Sequence, residues 1–240
     1  MLIEVCANSL ESALNAQNGG ADRIELCSEL GIGGITPSYA VLKLTKEKLI
    51  IPSHVLIRPR SGDFTYSDLE FEIMKMNISL CKKLGFNGVV SGVLHQDNTL
   101  DYERTLILKE LAGTMKFTFH RAFDWVKEPF RVLAQLEEIG VDYILTSGQK
   151  KSALEGINLL SELKQKASLC VILPGGGINE TNAREFKKKG FKAIHLSGTS
   201  FVKTLEGKPV ISMNSHSFIN DDKIALTNEV TVAKICDLVK

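Results

Sequence analysis

The chain has 240 residues, 44% of them hydrophobic and 24% charged, with a formal charge of +1. Such a composition is globular and long enough for one large domain or two small ones, and its near balance of charge gives no electrostatic case for nucleic acid or an acidic membrane surface. There is no basic, apolar leader and no run of the roughly 18 apolar residues that a membrane span needs, and the five scattered cysteines contain no Cys-x-x-Cys, so reduced thiols and a cytoplasmic location are expected.

In chain order, Leu2 to Cys6 reads as a first strand. A recurring unit then begins: a helix stops at a glycine, two or three residues follow, and a short apolar strand ends in a small polar residue. It occurs as GGADRIELCS, LGFNGVVSG, IGVDYILTSG and KGFKAIHLSG, with Gly20, Gly85, Gly140 and Gly190 as the helix stops, about 50 to 65 residues apart. One further strand candidate lies within each interval: His54 to Arg58, Lys116 to His120 and Leu169 to Leu173. Between the strands lie amphipathic helices, with Ser67-x-x-Glu70 and Ser152-x-x-Glu155 as capping boxes and Asn179 ahead of TNAREFKKKG. In the longest, Leu69, Ile73, Met76, Leu80 and Leu84 have the spacing of a buried face. Residues 203 to 228 read as a long polar loop before a last helix near 229 to 239. Eight strands alternating with helices predict an α/β chain folded as one (β/α)₈ TIM barrel over residues 1–240.

Strand side chains alternate faces. In Ile-Glu-Val-Cys6 and Ile-Glu-Leu-Cys27, Ile3, Val5, Ile24 and Leu26 are therefore expected against the helices, and Glu4, Cys6, Glu25 and Cys27 inside the barrel. The other strand ends contribute a polar rim of Arg58, Arg60, Ser91, His120, Arg121, Ser147, His195 and Ser197. Two cysteines ending adjacent strands suit Cu(I), a soft ion that favours thiolates. Zinc with help from Glu4, Glu25 or His120 is an alternative, as is a pair of thiols without metal. Pro174-Gly-Gly-Gly-Ile-Asn179 and Leu196-Ser-Gly-Thr-Ser200 follow strands seven and eight, where barrels commonly bind phosphate through backbone N–H groups. Gly175, Gly176, Gly177, Ser197 and Gly198 are thus candidate anion contacts, with Arg58 and Arg60 as further ones, although the glycines also serve as plain turns. Glu4, Glu25 and His120 are the candidate proton carriers, against the alternative that the glutamates only pair with arginines.

The stretches EVCANSLESALNAQNGGADRIELCSELGIGGITPS, IRPRSGDFTYS, FHRAFDW, LTSGQ, LPGGGIN and HLSGTS, in order from residue 2 to about 203, resemble the CutC family of copper homeostasis proteins. That resemblance implies a TIM barrel, a cytosolic location, self-association as a dimer or tetramer, and copper handling with Cys6 and Cys27 as the Cu(I) ligands. The leading expectation is accordingly a copper homeostasis protein binding Cu(I) through those two cysteines at the C-terminal mouth. The alternative is a barrel enzyme acting on a small phosphorylated or anionic substrate by acid–base chemistry. The expected partner is the copper ion or a small anion, with neither nucleic acid nor membrane.

Overall fold

Asp22, Asn87 and Asp142 occupy one position in three of the recurring units, just ahead of a strand, and each reaches sideways to start its neighbour. In a computed structural model that describes residues 1–207, 210–212 and 221–240, Asp22 accepts the Ile3 N–H at 2.8 Å, Asn87 the Ser53 N–H at 3.0 Å and Asp142 the Phe117 N–H at 2.9 Å. These acceptors satisfy strand-end donors that the ladder leaves unpaired and fix which strands lie side by side.

The strands are β1 (Leu2–Ala7), β2 (Arg23–Leu26), β3 (Ser53–Leu56), β4 (Gly88–Ser91), β5 (Lys116–Phe119), β6 (Tyr143–Thr146), β7 (Val171–Pro174) and β8 (Ala193–Leu196). All neighbours run parallel in the order β7-β6-β5-β4-β3-β2-β1-β8, and a parallel bridge between Gly175 and His195 closes the ring. With its surrounding helices this is a (β/α)₈ TIM barrel, as the alternation predicts. The helices are α1 (Leu10–Asn18), α2 (Tyr39–Lys48), α3 (Asp68–Leu84), α4 (Tyr102–Ala112), α5 (Pro129–Ile139), α6 (Ile157–Lys166), α7 (Ala183–Lys188) and α8 (Glu229–Val239). None of them is long and apolar enough to cross a membrane.

Strand parity divides the core. Ile3, Val5, Ile24, Leu26, Val55, Val89, Phe117, Ile144, Ile172 and Ile194 join the large apolar layer beneath the helices. The alternate positions point inward and are far more polar. Glycines on β4 and just after it make room for them: a Cβ on Gly88 would sit 2.5 Å from the His54 ring, and one on Gly92 would sit 2.6 Å from Nδ1 of His120.

Two expected features differ. On α3 the buried residues are Phe71, Met74, Ile78 and Cys81, whereas Leu69, Ile73 and Met76 are exposed. Both stripes have helical spacing, and the capping box, in which Ser67 Oγ accepts the Glu70 N–H while Glu70 accepts the Ser67 N–H, sets the rotation that buries the first. The expected polar loop of 203 to 228 instead carries a strand: β9 (Thr199–Lys203) pairs antiparallel with β10 (Lys223–Thr227), Phe201 opposite Ala225. Its ends hold short apolar alternations, and α1 secures the ribbon because Asn8 and Asn15 donate to the carbonyls of Ala225 and Thr227. Residues 208–209 and 213–220 of that expectation lie outside the described residues.

Asp142 is the most heavily bonded of the three strand clamps, accepting from Lys116 at 2.6 Å as well as from Phe117. Burial works against its charge, but the Lys116 and Phe117 hydrogen bonds and the charges of Lys109 and Lys116 hold its pKa below the usual carboxylate range. A depressed carboxylate stabilises the fold above its unfolded pKa and loses that contribution as pH falls. Asp142→Ala should therefore cost about 2 kcal/mol in urea denaturation near neutral pH, and the difference from the parent should narrow under acid.

Candidate functional site

Cross-strand register brings four inward side chains to one place. Glu4 on β1 lies opposite His195 on β8, and Cys6 lies opposite Glu25 on β2. Glu4 is wholly buried between two cations: Arg23 Nε donates to its Oε2 at 2.6 Å, and His195 Nδ1 donates to its Oε1 at 2.8 Å. Arg23 is itself backed by the Tyr143 ring, 4.2 Å away. Burial opposes the Glu4 charge, yet the His195 hydrogen bond and the charges of Arg23 and His195 hold its pKa at about 2. Burial opposes a charge on His195 as well. Its hydrogen bonds with Cys6 and Glu4 and the charges of Glu25 and Glu4 outweigh that and raise it well above the ordinary imidazole value. His54, across from Glu25, is kept neutral, lowered to about 4 by burial and by Arg23.

Glu25 has weaker support: its Oε2 has no hydrogen-bond partner among the described residues and stands 3.8 Å from His195 Nδ1. Burial raises Glu25, partly countered by His195, and the negative charge of Glu4 adds to the rise, so that it titrates at about 7. One carboxyl is thus fixed as an anion while its neighbour exchanges a proton near neutrality. That separation of two carboxyls by environment is how acid and base roles are assigned within one site.

Above this network opens a cavity of about 440 Å³, lined among others by Cys6, Glu25, Arg58, Phe64, His120, Arg121, Trp125, Gly176, Gly177, His195 and Ser197. Arg58 is buried and bonded only to backbone: it donates to the carbonyls of Ile32, Gly34 and Gly62. It has no carboxylate partner among the described residues. Arg121 is half-exposed and braced by Asp124 at 2.8 Å and Ser147 at 3.0 Å. Gly176 and Gly177 take φ of 107° and 74°, the left-handed region that favours glycine, and turn the β7 loop over the mouth. With Glu25 protonated, the Arg23–Glu4–His195 group and Arg58 leave the cavity wall cationic.

The remaining candidates lie elsewhere. Arg60 does not line the cavity; it pairs with Glu70 at 2.6 Å and Asp63 at 3.1 Å and holds the loop that leads into α3. The parity that carries Arg58 inward ends at Pro59, and beyond it Arg60 is captured by those carboxylates. Gly175 closes the barrel against His195, and Gly198 packs at the foot of the ribbon near Val232; neither lines the cavity. His120 does, but burial and the charge of Arg58 lower it to about 3, so it is uncharged at neutral pH. His195, placed only on the polar rim by sequence reasoning, proves central, and the parity that placed Glu4 inward also places Ala193, His195 and Ser197 inward.

The expected copper site is corrected. Cys6 and Cys27 bring their sulfurs to 3.6 Å, but Cys27 lies wholly buried behind Cys6, beside Leu56 and Val90, and does not line the cavity. The hydrogen bond with Cys27, burial and the charges of Cys27 and Glu25 raise the Cys6 thiol well above its ordinary value. A thiolate pair is what Cu(I) requires, and here the thiol holds its proton. Among the described residues, the ligand-type atoms that gather within 4.8 Å of one another belong to Glu4, Glu25 and His195; of the contacts expected for zinc, Glu4 and Glu25 are among them, while His120 and both cysteines are not.

Comparison with known proteins agrees on the fold and family. The model of the CutC family matches residues 1–200. The human copper homeostasis protein cutC homolog is 47% identical over 201 residues, which are 83% of this chain and 74% of that protein. A crystal structure of CutC from Streptococcus agalactiae, 32% identical, superposes with a TM-score of 0.78 over 82% of this chain and 98% of its own. Thiamine phosphate pyrophosphorylase from Pyrococcus furiosus shares the fold, with a TM-score of 0.60 at 15% identity over 99% of this chain and 95% of that one.

Because folding raises Glu25, the folded state holds more protons than the unfolded one between the ordinary glutamate value and about 7, and stability falls as pH rises through that window. Glu25→Gln removes the ionisation. The variant should be more stable than the parent by on the order of 2 kcal/mol at about pH 8 and nearly equal to it at about pH 4.5, read from paired urea denaturations.

Proposed function

This chain belongs to the CutC family, and we propose that its barrel mouth is the active site of an enzyme that acts on a small phosphorylated or otherwise anionic substrate by acid–base chemistry. The observation that carries the reading is the separation of two adjacent buried carboxyls, Glu4 at about 2 and Glu25 at about 7, beneath a cavity with cationic walls. Glu25 exchanges the proton. Glu4 stays ionised and keeps His195 charged, Arg58 and Arg121 attract the anion, and the backbone around Gly176, Gly177 and Ser197 receives it at the mouth, where barrel enzymes bind phosphate. We assign residues 1–240 to one such domain. We place it in the cytoplasm on the strength of five free cysteines, and as a self-associating protein on the exposed α3 stripe of Leu69, Ile73 and Met76.

Trp125 lines the cavity and is the sole tryptophan of the chain, so its fluorescence reports on the site. Inorganic phosphate should change that emission, with Arg121→Met weakening binding by about tenfold. Small phosphorylated aldehydes and ketones incubated with the protein in D₂O should acquire deuterium, and Glu25→Gln should slow exchange by on the order of a hundredfold. Absence of both effects would end the proposal.

A second reading rests on the three ligand-type groups within 4.8 Å. Two carboxylates and an imidazole suit Zn²⁺, Mn²⁺ or Fe²⁺. Such an ion would have to displace the protons held on Glu25 and His195 and sit beside Arg23. Calorimetric titration with Zn²⁺ should then show little binding at about pH 6, stronger binding at about pH 8, and none in Glu25→Gln.

A further inference from the structure

The His120 side chain holds a proton with no acceptor. Its Nδ1 accepts the Ala122 N–H at 3.2 Å, at the start of the 3₁₀ turn Arg121–Trp125, and in a neutral imidazole that leaves the hydrogen on Nε2. Nε2 is buried and has no hydrogen-bond partner among the described residues. An unpaired buried donor is costly, and capping the turn accounts only for the other nitrogen. The fold nonetheless makes room for the ring: it lies against Phe64 at 4.7 Å between centroids, Gly92 leaves it space that any Cβ would fill, and it forms part of the cavity wall. His120 follows β5 while Glu25 stands on β2, three strands away around a ring of eight, so the two line the cavity from different parts of its wall.

We infer that His120 is a neutral hydrogen-bond donor to a carbonyl oxygen of the substrate, which makes the substrate a small phosphorylated aldehyde or ketone and the reaction a proton transfer at the carbon beside that carbonyl. The inference deepens the acid–base reading and rests on it. The Glu25 carboxylate takes the proton from carbon. The C–H electron pair becomes the carbon–carbon double bond, the carbonyl pair moves onto oxygen, and the Nε2–H bonds to the resulting enolate oxygen. Return of the proton from Glu25 to carbon restores the carbonyl, so atoms and charge balance without any further reactant. A neutral imidazole suits this role because it donates without surrendering its proton.

Long-range ¹H–¹⁵N spectra of the labelled protein, which has five histidines, test the tautomer, with His120→Phe identifying the resonances. His120 should show the Nε2–H form and no titration between about pH 5 and 8. Addition of 2-phosphoglycolate, which carries a phosphate and an enolate-like carboxylate, should shift that proton. His120→Phe should bind 2-phosphoglycolate about tenfold more weakly while its affinity for inorganic phosphate changes less than about twofold, which also shows that the variant folds. A protonated ring, the Nδ1–H form, or equal 2-phosphoglycolate binding in the variant would overturn the inference and leave the active-site reading standing. If the parent protein binds neither probe, both fall together.

Discussion

The organisation of this barrel turns on one carboxylate. Glu4 has no exposed surface, and an isolated charge in such a place would cost several kcal/mol. It is tolerated because Arg23 and His195 grip its two oxygens from the strands on either side. The charge states nearby reflect that arrangement together with burial. The proton that His195 keeps makes the floor of the cavity cationic; burial raises Glu25 to about 7, a rise that His195 and Arg23 oppose and the Glu4 charge reinforces. Glu25 in turn helps to hold the proton on Cys6. The buried ion group thus holds the proton on His195, while burial dominates at Glu25 and the Cys27 hydrogen bond with burial dominates at Cys6.

Closing the ring makes the arrangement possible. The hydrogen bond between Glu4 and His195 joins residues at opposite ends of the chain, and it exists because β1 pairs with both β2 and β8. Gly88 on β4 and Gly92 just after it serve the same interior differently, for the rings of His54 and His120 occupy space that side chains there would fill. The buried rings find room inside the barrel because these two positions carry no side chain.

Much of this is legible in the amino-acid order. The repeated Gly-x-x-strand unit reveals eight strands, and alternation within Ile-Glu-Val-Cys6 and Ile-Glu-Leu-Cys27 identifies which side chains face inward. Alternation is local, however, and protonation is not. Whether Glu25 is acid or anion depends on distances to Glu4 and His195, which only barrel closure supplies, and the same is true of the Cys6 thiol. Local patterns also mislead where two readings satisfy one spacing. Helix α3 carries two apolar stripes and buries the one that its cap turns toward the barrel. KIALT, set in a polar stretch, becomes a strand only because Thr199–Lys203 lies ready to pair with it. Arg60 and Arg58 look equivalent on either side of Pro59, yet one is spent on Glu70 and Asp63 while the other faces the cavity.

The protonation of Glu25 also bears on which chemistry the mouth serves. A fold under selection for stability alone has no reason to keep a carboxyl whose ionisation is resisted throughout the neutral range; glutamine would fill the same space without titrating. Nor would a site for a soft monovalent metal gain from it, because a carboxyl beside a thiol makes the thiolate harder to form. A group kept at the edge of ionisation, facing a cavity whose fixed charges are positive, suits the proposed transfer of a proton to or from something bound there. The two sulfurs at 3.6 Å are then read most simply as part of the apolar packing that keeps the floor of that cavity dry, with Leu56 and Val90 completing the layer. Dryness is what holds Glu25 near neutrality: hydration of this layer would return its pKa toward the ordinary glutamate value and remove the difference between the two carboxyls on which the acid–base reading depends.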